Sequence, residues 1–208
     1  MKYITDAKEA KQIDNISINE IGIPSLVLME RAALSVVDEI QKKIIGKLKS
    51  ISNRNDEIKV LVVAGMGNNG ADGVAVARML MHNGIETDIK LVGNIEYASD
   101  EMRKQLGIAK KLEISFVTNI EDKEYDIIID AIFGIGLSRE ITGGYKEIIE
   151  KINESKSYIV SVDISSGVDA SSGRILGIAV KSDMTVTFGT LKRGMIMFPG
   201  AGFSGGIK

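Results

Sequence analysis

Cysteine is absent from this chain of 208 residues, and histidine occurs only once, as His82. The absence of cysteine excludes disulfides, thiolate nucleophiles and cysteine-ligated metals, and it is common in proteins of the reducing cytosol. His82 is the only candidate for a histidine base or ligand, but it falls near the end of a predicted helix, well past the glycine-rich segment 65–73. We expect a cytoplasmic protein and do not include His82 in its site.

Long hydrophobic runs and an excess of positive charge are also missing. The N-terminal residues MKYITDAKEAKQID form no hydrophobic signal region, and no stretch of about 18 apolar residues occurs. Lysine and arginine total 26 against 28 aspartates and glutamates, a formal net charge of -2. This balance lacks the positive field that nucleic acids and anionic membranes normally require. We therefore expect a small-molecule ligand, with no membrane and no nucleic-acid partner.

Hydrophobic residues make up 44% of the chain, enough for a sizeable core. Two helices are predicted first, one capped by Thr5 or Asp6 and one after Pro24. Short apolar runs, typical of strands covered on both faces, then alternate with helical patterns. The predicted strands are 59–64, 86–92, 114–117, 126–130, 158–163 and 184–188, and the helices between them are 72–83, 99–112 and 144–153.

This alternation predicts one α/β domain over residues 1–208. Its expected architecture is three-layer and Rossmann-like, a doubly wound, mainly parallel sheet with helices on both faces. The polar segment 47–57 is predicted to be a loop within the domain.

A glycine-rich turn, Gly65 to Gly73, directly follows the first predicted strand and precedes a helix. Its first six residues satisfy G-x-G-x-x-G, in which glycines let phosphates approach backbone amides at a helix N-terminus. No acidic residue closes the next strand to hold a ribose, which argues against a dehydrogenase. Glycines alone could merely build a tight turn. Asn68, Asn69 and Asp72 make the turn rich in oxygen, which suits a cation, a ribose or a phosphate.

Aspartates follow two further strands, Asp130 after 127–129 and Asp163 after 158–162. In open α/β sheets the ligand crevice lies at the carboxyl ends of the strands, so both carboxylates can converge on the glycine-rich turn. A single aspartate at a strand end often caps the following turn. Two such aspartates, together with the glycine-rich turn, favour a functional site.

Three motifs carry a resemblance to a known family: G-x-G-N-N-G-A-D-G at 65–73, D-A-I-F-G-I-G at 130–136 and V-D-I-S-S-G-V-D at 162–169. With LMERA at 28–32 and TFG at 187–189, the chain resembles the NAD(P)H-hydrate epimerases over almost its whole length. That family interconverts the R and S epimers of hydrated NADH and NADPH, so that a separate dehydratase can restore the cofactor. The resemblance implies a Rossmann-like fold, an isomerase activity in metabolite repair and often a homodimer.

The resemblance also implies the site residues. Asp163 would be the substrate-contacting aspartate and, by hypothesis, the acid and base that handles the hydroxyl, a role that needs a carboxyl pKa raised toward neutrality. One potassium ion per chain would be held by Asn69, Asp130 and Ser166, an all-oxygen set. The implied substrate contacts are Asn68, Asn69, Gly70, Ala71, Asp72, Gly134, Ile135, Gly136, Leu137, Ser138, Arg139, Glu140 and Asp163.

The chain departs from the family pattern at two positions. The family more often has glycine where Ala71 stands and proline where Ser165 stands, so we expect Ala71 to crowd the ligand and Ser165 to loosen its turn. The chain stops where relatives usually continue into one more strand. Lys192 and Arg193 are interpreted as a solvated basic turn rather than a phosphate contact. The alternative function is a non-catalytic Rossmann-like nucleotide-binding or scaffold module, which would tend to lose the Asn and Asp set.

Overall fold

The computed structural model describes residues 3–46, 58–121 and 123–208. The predicted loop 47–57 lies outside these ranges. Among the described helices, none is both long and apolar enough to cross a membrane.

A parallel sheet of seven strands forms the centre of the described chain. Its strands are β2 (Lys59–Ala64), β3 (Glu86–Leu91), β4 (Ser115–Phe116), β5 (Ile127–Ala131), β6 (Tyr158–Val162), β7 (Met184–Val186) and β9 (Gly206–Ile207). The spatial order is β4-β3-β2-β5-β6-β7-β9, and all neighbours pair in parallel. Chain order therefore reverses between β2 and β5, the position at which doubly wound sheets open their ligand crevice.

A second, two-stranded parallel sheet was not predicted. It pairs β1 (Ile4–Thr5) with β8 (Leu191–Lys192), joining residues almost a whole chain apart. The alternation of apolar and polar residues that marks a strand cannot be recognised here, because two residues are too few to show a period of two. The pairing holds β1 beside β8, which lies near the carboxyl end of β6, since the Lys192 side chain reaches Asp163.

The described residues form five α-helices. They are α1 (Ala7–Asn15), α2 (Ser25–Glu39), α3 (Asn68–His82), α4 (Asp100–Lys111) and α5 (Gly144–Glu154). Asp6 caps α1 through a reciprocal capping box with Glu9, and Ser99 caps α4 by accepting from the Met102 amide. Two π-helical segments, Ile16–Glu20 and Ile40–Ile45, extend α1 and α2.

Alternating residues of β2 divide the core into two layers. Val60 and Val62 pack with α2, α3 and α4 on one face, whereas Leu61 and Val63 pack with α5 on the other. Strands buried on both faces account for the continuous apolar runs of the sequence. The predicted three-layer, Rossmann-like, mainly parallel α/β architecture is confirmed.

Candidate substrate site at the carboxyl ends of the strands

The glycine-rich turn is shorter than predicted, because α3 begins at Asn68 rather than at Asp72. Glycine is needed at specific places within it. A Cβ at Gly70 would overlap the carbonyl oxygen of Gly65, and a Cβ at Gly65 would overlap that of Ile132. A Cβ at Gly67, by contrast, meets nothing within 4 Å. A Cβ at Gly73 would also overlap that of Ala131, so the segment lies against β5 and its following loop with no room for a side chain at three of its glycines.

The N-terminus of α3 is open to a ligand. Gly67 occupies the capping position and supplies no side-chain hydrogen bond to the first turn of the helix. The first amides of a helix have no partner within it and carry the positive end of the helix dipole. This end of α3 can therefore bind a phosphate or another anion.

A cavity of about 920 Å³ opens at this edge of the sheet. It is lined by most of the predicted substrate residues, namely Asn68, Asn69, Asp72, Gly134, Ile135, Gly136, Leu137, Ser138, Arg139 and Asp163. Gly70 and Ala71 do not line it, and Glu140 lines a smaller neighbouring cavity of about 280 Å³. Phe133 and Tyr145, whose ring centroids are 4.9 Å apart, lie between the two cavities and line both. The large cavity is of the size that accommodates organic ligands.

Asp163 lies at the cavity wall in a backbone conformation that is uncommon for a side-chain-bearing residue, with φ at 67°. Its amide donates to the Val186 carbonyl at 2.8 Å, which holds the residue at the end of β6. One carboxylate oxygen, Oδ1, accepts from the Lys192 ammonium and from the Phe188 amide, the latter at 3.3 Å. Within the described residues no hydrogen bond reaches Oδ2. Strained backbone of this kind is typical of functional positions.

The interpretation of Lys192 as part of a solvated basic turn is wrong. Its side chain is 3% exposed, and its ammonium donates to Asp163, to the Thr187 hydroxyl at 2.9 Å and to the Phe188 carbonyl at 2.9 Å. Sequence reasoning missed this residue because its partner lies 29 positions away in another element. Arg193, the next residue, does have an exposed side chain.

Three carboxyl groups lie near Lys192, namely Asp14 on α1, Asp72 on α3 and Asp163 after β6. Burial raises the pKa of Asp72 well above its ordinary value, and the charges of Asp163 and Asp14 raise it further. The pKa of Asp14, at the cavity wall, is raised by partial burial and by Asp163. Lys192 lowers both. Proton exchange near neutrality requires a carboxyl group with a raised pKa, and Asp72 is such a group. Asp14 was not among the predicted site residues.

Asp130 and Ser166 lie beneath the cavity rather than in its wall. Asp130 is fully buried and accepts from the Ser166 hydroxyl at 2.5 Å, the Ser166 amide at 2.9 Å and the Ser161 hydroxyl at 2.6 Å. Burial raises the pKa of Asp130, while these hydrogen bonds oppose the rise. Within the described residues no lysine or arginine pairs with it.

Asn69 completes the predicted potassium set. Both polar atoms of its side chain are buried without a hydrogen-bond partner in the described part of the chain. A Cβ at Gly134 would approach the side-chain oxygen of Asn69 to 3.3 Å, so glycine there leaves the amide accessible from the 134–140 loop. A buried oxygen without a partner and a buried carboxylate without a counter-ion both fit a bound cation.

The two departures from the family pattern act differently from expectation. Ala71 is fully buried and packs in the core cluster of α2, α3 and α4, so its Cβ faces away from the cavity. Ser165 is also fully buried, and its hydroxyl bonds to Ser182 and to the Phe203 carbonyl, both at 2.9 Å. These bonds fix the turn before Ser166 where proline would have stiffened it. His82 lies exposed at the end of α3, remote from the cavity.

Together the fold and the site define a Rossmann-like α/β protein with a group of carboxyl side chains in its large cavity. The family described as YjeF-related protein N-terminus matches residues 25–194. A protein of Oenococcus oeni named NAD(P)H-hydrate epimerase is 44% identical over 98% of this chain and 92% of its own length. One of Weissella koreensis with the same name is 41% identical over 97% of this chain and 87% of its own. The chain belongs to the NAD(P)H-hydrate epimerase family, as the motifs indicated.

A solved structure supports the fold. The crystal structure of the yeast protein ynu0, YNL200c, superposes with a TM-score of 0.81 and covers 93% of this chain and 83% of the yeast chain. At 24% identity this similarity concerns the fold alone.

Proposed function

We propose that this protein is an epimerase that interconverts the R and S forms of hydrated NADH and NADPH in nicotinamide cofactor repair. The observation that carries the proposal is the position of Asp163, which lines a cavity that also receives the N-terminus of α3 and whose Oδ2 accepts no hydrogen bond from the described residues. The start of α3 suits a phosphate of a dinucleotide, and the carboxyl groups in the cavity suit proton exchange. Relatives at 40–44% identity carry the epimerase name.

The chemistry requires one proton to be given and taken back. The hydrated ring carbon bears a hydroxyl next to the ring nitrogen, whose lone pair can expel it as water once a proton is supplied. Addition of water to the opposite face of the resulting iminium, with return of the proton, inverts the centre. Ring opening and reclosure would need the same groups. Asp163 gives the proton to the departing hydroxyl and takes it back from the added water, while burial and the charge of Asp163 raise the pKa of Asp72 in the same cavity.

Binding of the dinucleotide falls to the loops. The amides at the start of α3 receive a phosphate, while Asn68, Asp72 and the 134–140 loop surround the rest of the ligand. Arg139 is an exposed cation in the cavity wall and adds charge that favours the anionic substrate. Gly70 contributes by letting the turn close, and Glu140 borders the site from the smaller cavity.

Potassium would be held by Asn69, Asp130 and Ser166, one ion per chain. The ion would supply positive charge beside a buried carboxylate and would fix the glycine-rich turn and the 130–136 loop relative to each other. These three residues come from α3, from β5 and from the turn after β6, so the ion would link three elements.

An epimer-exchange assay tests the proposed epimerase activity. Purified protein mixed with R-hydrate and an S-specific dehydratase should accelerate the recovery of reduced-cofactor absorbance, without consuming either epimer alone. The dehydratase without this protein is the control. A rate equal to that control would favour the non-catalytic scaffold, an alternative that the retained Asn69, Asp130, Asp163 and Ser166 disfavour.

Potassium should stabilise the folded protein, because a ligand that binds only the native state shifts unfolding by mass action. At about ten times its dissociation constant the ion adds about 1.4 kcal/mol, or roughly 3–5 °C in Tm for a chain of this size. Replacement of potassium by tetramethylammonium should remove the gain in wild type, and Asp130→Asn should abolish it. Asp88→Asn is the matched control, since Asp88 is 2% exposed and pairs with Lys123 far from the site. A wild-type Tm that is equal in both salts contradicts the ion site.

Three further parts of the proposal concern the protein's surroundings. The dehydratase that consumes the S-hydrate is a separate protein, and both work in the cytoplasm. The protein forms a homodimer. The apolar residues Met29, Ala33 and Val36 of α2 pack in the core and are not available for an interface. Val27 and Leu34, 47% and 52% exposed, remain available on that helix.

A further inference from the structure

Among the described residues that line the cavity, Lys192 is the only buried cation, and the proposed reaction does not use it directly. Its strand, β8, is held by pairing with β1, and the Thr5 hydroxyl bonds to that of Thr190 at 2.7 Å. The lysine is therefore fixed by a part of the fold that is separate from the central sheet. A buried lysine is costly unless it is paired and hydrogen-bonded.

The three hydrogens of the ammonium are all used. They go to Asp163 Oδ1, the Thr187 hydroxyl and the Phe188 carbonyl. Since an ammonium has only three donors, none remains for a phosphate of the substrate. Lys192 thus acts on the ligand through Asp163 rather than by touching it.

The contacts of Asp163 are divided between its two oxygens. Oδ1 receives Lys192, the Phe188 amide at 3.3 Å and the Thr187 hydroxyl at 3.4 Å. Oδ2 receives no hydrogen bond from the described residues, and the residue lines the cavity. The tether fixes the rotation of the carboxylate and leaves one oxygen for substrate or water.

We propose that Lys192 is a positioning residue, which tethers Oδ1 of Asp163 and presents Oδ2 to the substrate. The proposal rests on the proposed epimerase function and assigns a role within it. The charged groups that face Asp163 are Asp14 on α1, Asp72 on α3 and Lys192 on β8. Lys192 lowers the pKa of Asp72 and Asp14, so its removal leaves three carboxyl groups facing one another without a cation.

The test compares Lys192→Met with wild type in the epimer-exchange assay over a range of pH. We expect kcat to fall by about 100-fold, the effect of a misplaced reacting group, with KM within about threefold. The rate needs carboxyl groups that both give and take a proton, so it declines at both low and high pH. Loss of the cation disfavours the ionised carboxyls, and each then keeps its proton to higher pH. The whole kcat curve should therefore move upward by about one pH unit or more. Arg193→Met is the control, because Arg193 is 51% exposed and does not line the cavity.

Chemical rescue separates charge from packing. The chain has no cysteine, so Lys192→Cys carries one thiol, which can be aminoethylated in denaturant to restore an ammonium at nearly the same reach. Wild type taken through the same unfolding and refolding is the reference. We expect aminoethylation to recover at least about tenfold of the lost kcat, and alkylation by a neutral group of equal length to recover none.

Several results would overturn the role. A reduced kcat with an unmoved pH curve would make Lys192 a packing residue only, and a raised KM at constant kcat would make it a substrate contact. Carbon-13 carboxyl titrations of the aspartates serve as a readout that does not need turnover. They should move to higher pH in Lys192→Met even if wild type shows no epimer exchange, in which case the proposed function fails while the tether stands. Unmoved titrations would contradict the tether itself.

Discussion

Replacement of Asp163 by asparagine should lower the epimerisation rate by about 100- to 10,000-fold, the usual worth of general acid-base catalysis. Asparagine keeps the shape of the side chain but cannot exchange the proton. Binding of hydrated cofactor should survive within about tenfold, because the loops and the start of α3 remain intact. The measurements are kcat at saturating substrate and the dissociation constant by calorimetry.

The same substitution leaves Lys192 buried without its counter-ion, so stability must be measured alongside activity. Removal of one partner of a buried pair costs roughly 3–5 kcal/mol. Asp163→Asn/Lys192→Met removes both charges and should recover much of that loss while remaining inactive. If the double variant is as stable as wild type and still inactive, the rate loss is chemical. A near-normal rate in Asp163→Asn would place proton exchange elsewhere, with Asp72 next in line.

Gly70→Ala should be the most damaging change in the glycine-rich turn. An added Cβ would overlap the Gly65 carbonyl, a backbone atom that cannot rotate away. We expect a loss of about 3 kcal/mol, at the upper end for over-packing, which corresponds to about 10 °C in Tm. Because the start of α3 must shift, hydrated cofactor should also bind more weakly. Differential scanning calorimetry and a binding titration check both effects.

Gly67→Ala is the matched control for stability. Gly67 has φ at -90° and no atom within 4 Å of an added Cβ, so alanine fits there. The cost should stay within about 1 kcal/mol, the difference between glycine and alanine at a helix cap. Equal losses in the two variants would show that the turn adjusts freely around Gly70, contrary to its close packing on Gly65.

Much of the site was already determined by the sequence. Apolar runs that alternate with helical patterns predicted the three layers, because strands buried on both faces are predominantly apolar. Asp130 and Asp163 were placed at one edge of the sheet, since parallel strands that end in aspartate deliver their side chains to the same edge. The glycine-rich turn was located by its position between a strand and a helix.

Only the tertiary structure determined three features of the site. They are the glycines that admit a side chain, the direction of the Ala71 side chain and the contacts of Lys192. Periodicity and motifs report on neighbours along one element, whereas these contacts join residues from different elements. The pair of Lys192 with Asp163 spans 29 positions, and the β1 to β8 pairing that holds the lysine joins Ile4 to Leu191. No local pattern encodes such contacts, because they depend on how the finished sheet brings distant strand ends together.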